Sequence, residues 1–191
     1  MAAIGPVASV NAPTSTGPIR CNRGTTLEVN AVMAQPQTDQ LITWLNDAHA
    51  METGLISILE AHASQFAGTF PAAADRLRRH IDETQQHARR LEQCLFQLGK
   101  QPSAIKSGLS SVIGAVEGSS TAIFRDQLVK DALADYASEQ FEVACYTALV
   151  QVAEDLDYPE IARLCRQNLE EDKAMANWLL QQVPTVARQA A

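Results

Sequence analysis

The chain has 191 residues, 46% of them apolar and 19% charged, a mixture that suits a soluble globular domain with a sizeable core. Fifteen basic against 22 acidic residues leave a formal net charge of −7, which argues against a broad nucleic-acid or anionic-membrane surface. No run of eighteen apolar residues occurs, and the first twenty residues lack the basic start and unbroken apolar centre of a secretory signal; the expected location is the cytoplasm.

Residues 1–36, rich in Ala, Pro, Thr, Gly and Ser, show no sustained period and read as a flexible N-terminal tail. From Thr38, a residue suited to a helix N-cap, "TDQLITWLNDAHAMETGLISILEAHASQF" keeps helical spacing to Phe66. "AGTFP" interrupts it, and Pro71 suits the first turn of a second helix that Gly99 and Pro102 close. Residues 100 to about 126 are weakly patterned, with room for a short helix in "SAIKSGLSSVIGAVEG". A third long helix is predicted over about 127–156 and a fourth over about 159–182, stopping before Pro184; residues 185–191 read as a C-terminal tail.

The connections carry topological information. About five residues join the first helix to the second and the third to the fourth, so each pair is an antiparallel hairpin. Nearly thirty residues separate the second from the third, enough to run back along the bundle and start the third parallel to the second. Two hairpins and one long crossover make an all-α, ferritin-like four-helix bundle over residues 37–184, with the short helix in the crossover.

At about 100° per residue, several polar side chains fall inside apolar arcs. Glu52 sits at the centre of the arc formed by Leu41, Leu45, Ala48, Leu55, Leu59 and Phe66. Alone there it would cost several kcal/mol unless paired, neutralised or metal-bound. In the second helix His80 and His87 lie within the arc and Glu83 at its edge. In the third, "EQFE" turns Glu142 inward with Glu139 flanking it, a pair that repels itself unless a cation intervenes. In the fourth, Asp172 lies inside the arc with Asn168 and Glu171 near its edge, and periodicity does not choose between the two acids. His49 and His62 read as surface or end-of-core residues.

Depth agrees with direction. Glu52, Glu83, His87, Glu142 and Glu171 stand about 13–18 residues from their own tight loops, or roughly 20–27 Å along the axis, which is mid-height in helices of roughly 40 Å. Four to six carboxylates with one or two imidazoles in a dry core call for roughly four positive charges, which two divalent or trivalent ions supply. Oxygen-rich ligation with some imidazole suits iron or manganese, and the accessible chemistry is oxidation of Fe(II) by O₂ or peroxide, or peroxide disproportionation. Cys21, Cys94, Cys145 and Cys165 contain no CxxC pair, so they read as thiols in a reducing compartment and exclude a rubredoxin-type or zinc-ribbon site.

"AHAMETGLISIL", "HIDETQQHARRLEQ", "ASEQFEVACYTALVQVAEDL" and "NLEEDKA" resemble, in order and spacing, the YciE/YciF-type ferritin-like proteins, bacterial and stress-associated. The resemblance covers about residues 38–182. It implies a rubrerythrin-like bundle, usually a homodimer, with a di-metal centre to which Glu52, Glu83, Glu139, Glu142 and Glu171 contribute, with His87 as the imidazole. Two departures stand out: "ETQQH" spaces its glutamate and histidine as ExxxH where ExxH is commoner, and the fourth helix holds no histidine. A mononuclear or degenerate site in a non-catalytic, dimeric interaction module is therefore the alternative to a di-iron or di-manganese protein.

Overall fold

The computed structural model describes residues 24–103 and 126–190. Four helices account for nearly all of them: α1 (Gly24–Phe66), α2 (Pro71–Gln97), α3 (Gln127–Asp155) and α4 (Pro159–Ala190). Local chemistry sets their inner ends. Pro71 opens α2, where its missing N–H matters least. At the other end Gly99, at φ +69°, and Lys100 donate back to Phe96 O and Leu95 O, closing α2 with a left-handed cap. Asp126 caps α3 by accepting from the Val129 N–H at 3.1 Å. Asp157, at φ +60°, ends α3 as Gly99 ends α2, with Tyr158 N–H donating to Ala153 O.

The outer ends differ from the sequence reading. Residues 24–36, read as tail, belong to α1, which continues through Pro36. Extending an existing helix adds one hydrogen bond per residue without a new nucleation cost, so weak periodicity does not stop it. Residues 185–190, also read as tail, belong to α4, which continues through Pro184. Val186 is buried there against Phe66, Leu77, Met175 and Leu179, and that packing offsets the proline.

Side-chain contacts give the helix directions. His49 meets Glu92 at 3.2 Å and Glu52 meets His87, so α1 and α2 are antiparallel. Arg166 pairs with Glu154 and Asn168 with Tyr146, so α3 and α4 are antiparallel too. His80 pairs with Glu139 and His87 packs against Tyr146, which makes α2 and α3 parallel. Residues 104–125, including the short helix expected in the crossover, lie outside the described residues. Where the connector leaves α2, Ser103 donates from its N–H and hydroxyl to Asn46 on α1, at 2.8 and 3.0 Å.

The core divides into two apolar clusters. One gathers Leu41, Leu45, Leu91, Leu95, Leu149 and Ile161; the other gathers Leu55, Leu59, Leu77, Ile81, Met175 and Leu179. Each fully buried Leu or Ile contributes roughly 1.5–3 kcal/mol. Cys94 and Cys165 are buried free thiols in the first cluster. Between the clusters lies a polar layer.

Candidate metal centre

Heptad-like spacing builds this layer. On α2, His80, Thr84, His87 and Leu91 succeed one another at steps of four, three and four, and all are buried. On α3 the same stepping buries Asp131, Asp135, Glu139, Glu142 and Tyr146. Glu52 on α1 and Asn168 and Asp172 on α4 are fully enclosed.

Two groups of three side chains converge: Glu52, His87 and Asp172, and His80, Glu139 and Asp172. Within each group one donor atom per residue lies within 4.8 Å of the others, and Asp172 belongs to both. His87 Nδ1 stands 3.4 Å from Glu52 Oε2 and 3.4 Å from Asp172 Oδ1. His80 Nε2 stands 2.8 Å from Glu139 Oε1. Glu52 Oε2, His87 Nδ1, Glu139 Oε2 and both Asp172 oxygens are buried without a hydrogen bond among the described residues. Buried polar atoms rarely remain so, and several carboxylate oxygens turned toward one another suit a cation. The residues present therefore fit the di-metal centre that the fold class implies.

The electrostatics carry the same strain. Burial pushes the Glu139, Glu142 and Asp172 carboxyls up; the neighbouring charge of Glu52 adds to this in each case, and histidines partly relieve it at Glu139 and Asp172. Burial would lower His80, but Glu139 and Glu83 outweigh it and push the imidazole up to about 10. His87 is likewise pushed up to about 10, by Glu171, Glu52 and Asp172 against burial. Glu171, opposed by burial but hydrogen-bonded to His87 and Arg90, is held down at about 2.

Each residue singled out from the sequence lies in or beside this layer. Glu52, His87 and Glu139 belong to the two convergent groups, and so do His80 and Asp172. Glu142 is buried in the same layer but belongs to neither group. Glu83 and Glu171 lie at its border, on the far sides of the imidazoles: Glu83 is 2.9 Å from His80 Nδ1, and Glu171 is 2.9 Å from His87 Nε2. On the fourth helix it is Asp172, not Glu171, that faces inward.

A further polar group escaped the sequence reading. His62 Nδ1 is 2.6 Å from Asp135 Oδ1, and its Nε2 is 3.5 Å from Asp131 Oδ1. Both aspartates are buried, and Gln127 donates to Asp131 at 2.6 Å. Continuing the inward register of α3 back from Glu139 by steps of four would have found them.

A helical bundle with parallel second and third helices and a carboxylate–histidine layer at mid-height is ferritin-like. The family described as "Domain of unknown function (DUF892)" matches residues 37–191, and the chain belongs to it. Among solved structures, a Xanthomonas campestris protein is 27% identical with a TM-score of 0.68, over 81% of this chain and 94% of that one. The Escherichia coli stress protein YciF is 23% identical with a TM-score of 0.68, over 80% and 97%. A Desulfovibrio desulfuricans bacterioferritin with a diiron site is 18% identical with a TM-score of 0.64, over 81% and 84%. These likenesses support the ferritin-like fold. No helix among the described residues is long and apolar enough to cross a membrane.

Proposed function

We propose that the protein is a ferritin-like di-metal carboxylate protein that binds two iron or manganese ions and handles iron, O₂ or peroxide under stress, as a cytoplasmic homodimer without nucleic-acid partners. The observation that carries the reading is Asp172, buried between two convergent groups with both oxygens unengaged among the described residues. Glu52, His87 and Asp172 would hold one ion and His80, Glu139 and Asp172 the other, with Glu142 supplying a further buried carboxylate beside them. Four inner carboxylates and two neutral imidazoles match the charge of two divalent ions. Oxygen and imidazole donors without thiolate favour iron or manganese. Such ions, when bound, supply redox and Lewis-acid chemistry toward O₂ or peroxide. The protein's own part is to keep the layer dry between two apolar clusters and to orient its donors.

A second reading, a non-catalytic dimeric interaction module with a degenerate site, draws support from the pairs His80–Glu139 and His87–Glu171, which balance part of the charge without metal. Elemental analysis separates the two. Protein purified without chelators is expected to carry about two iron or manganese ions per chain, lost in Glu52→Ala and Asp172→Ala. Absence of metal in the wild type, even after anaerobic Fe(II) or Mn(II) loading, supports the interaction module. Light scattering tests the dimer.

A further inference from the structure

We infer that Arg76 and Arg90 are positioning residues that hold Glu83 and Glu171 on the outer sides of His80 and His87, so that these two carboxylates orient the imidazoles and stay out of the metal shell. The inference rests on the di-metal reading and refines it. Each imidazole has one nitrogen facing inward and one facing outward. His80 Nε2 points to Glu139 at 2.8 Å, and its Nδ1 points to Glu83 Oε2 at 2.9 Å. His87 Nδ1 faces Glu52 and Asp172, and its Nε2 points to Glu171 Oε2 at 2.9 Å. A proton kept on the outer nitrogen leaves the inner lone pair free for an ion.

The arginines hold the outer carboxylates in place. Arg90 grips Glu171 at two points, Nη1 to Oε2 at 2.7 Å and Nη2 to Oε1 at 3.1 Å, the geometry in which a guanidinium binds a carboxylate most firmly. Arg90 is itself fixed by donating to Asn168 Oδ1 at 2.8 Å, and Asn168 donates to the Tyr146 hydroxyl. Arg76 donates to Glu83 Oε2 at 3.1 Å. The side chains of Glu83 and Glu171 are 34% and 30% exposed, whereas those of Glu52, Glu139 and Asp172 are at most 2% exposed. Paired with Arg76 and Arg90, the outer acids are neutralised, and the demand for cationic charge falls on the inner ones. The two supports are unequal. That of His80 lies within α2 and rests on one hydrogen bond, whereas that of His87 joins α2 to α4 through a two-point clamp.

Anaerobic titration of the full chain with Mn(II), following free aquo-Mn(II) by electron paramagnetic resonance, reads stoichiometry separately from affinity. Glu171→Gln is expected to keep two sites while weakening one by about 10–100-fold. Arg90→Met is expected to behave alike, and Arg90→Lys to recover part of the loss. Asp172→Asn is expected to abolish tight binding at both sites. Glu171→Gln with a single site at saturating Mn(II) would make Glu171 a ligand and overturn the inference. So would wild-type affinity in both Glu171→Gln and Arg90→Met. A wild type that takes up neither Mn(II) nor, in anaerobic loading, Fe(II) overturns the di-metal reading itself, and this inference with it.

Discussion

Tyr146 on α3 donates its hydroxyl to Glu52 on α1 and accepts from Asn168 on α4 at 2.9 Å, so one buried phenol joins three helices. It engages Glu52 Oε1 and leaves Oε2 directed at His87. Tyr146→Phe removes a donor from a carboxylate and an acceptor from an amide without opening a large cavity. The variant is expected to lose about 1–3 kcal/mol of unfolding free energy in urea titrations of the metal-free protein. An unchanged midpoint would show that neither group depends on the phenol.

The metal-free protein should weaken as pH rises. His80 and His87, each pushed from 6.5 up to about 10 by surrounding carboxylates against the effect of burial, hold protons that the unfolded chain releases. Their stabilisation is complete below about 6.5 and is lost as pH climbs toward 10. The raised carboxyls of Glu139, Glu142 and Asp172 act with the same sign, whereas the lowered ones of Glu83 and Glu171 act only under acidic conditions. The Tm of chelator-treated protein is expected to fall by at least several degrees across the interval from about 6.5 to 10. A Tm that stays level or rises there contradicts these protonation states.

His62 clamps α1 to α3 between Asp135 and Asp131. Removing the imidazole leaves two buried carboxylates one turn apart without the group they share. His62→Ala is expected to cost about 3–5 kcal/mol in urea unfolding, and adding Asp135→Asn should recover part of it. If the single variant unfolds like the wild type, the histidine is not the partner that makes these aspartates tolerable.

The polar layer was legible in the sequence because helical spacing alone turns Glu52, His80, His87 and Glu142 inward with Glu139 flanking them, and loop distances put Glu52, His87 and Glu142 at one height. Other features depend on information that spacing does not hold. Glu171 and Asp172 are adjacent, about 100° apart around the axis, and only the seating of α4 against α2 decides which is enclosed. The clamp of Arg90 on Glu171 depends on the register between those same helices. The helix ends were missed for a related reason. A proline reads as a stop, yet packing beyond it overrides the local preference.

Pro184 makes that last point testable. Inside α4 it lacks an N–H for the carbonyl four residues earlier, that of Leu180, a residue on the exposed side of the helix. The helix therefore tolerates the proline at a cost, and Val186, 3% exposed, lies on the far side of it. Pro184→Ala is expected to raise unfolding free energy by about 1–3 kcal/mol. Truncation after Val183 removes Val186 from the core and is expected to lower it by about 1.5–3 kcal/mol. Thermal melts of the two variants beside the wild type read both signs at once. If α4 ended before Pro184, alanine there would change little and the truncated chain would melt with the full one; opposite shifts require a helix that continues through the proline and packs beyond it.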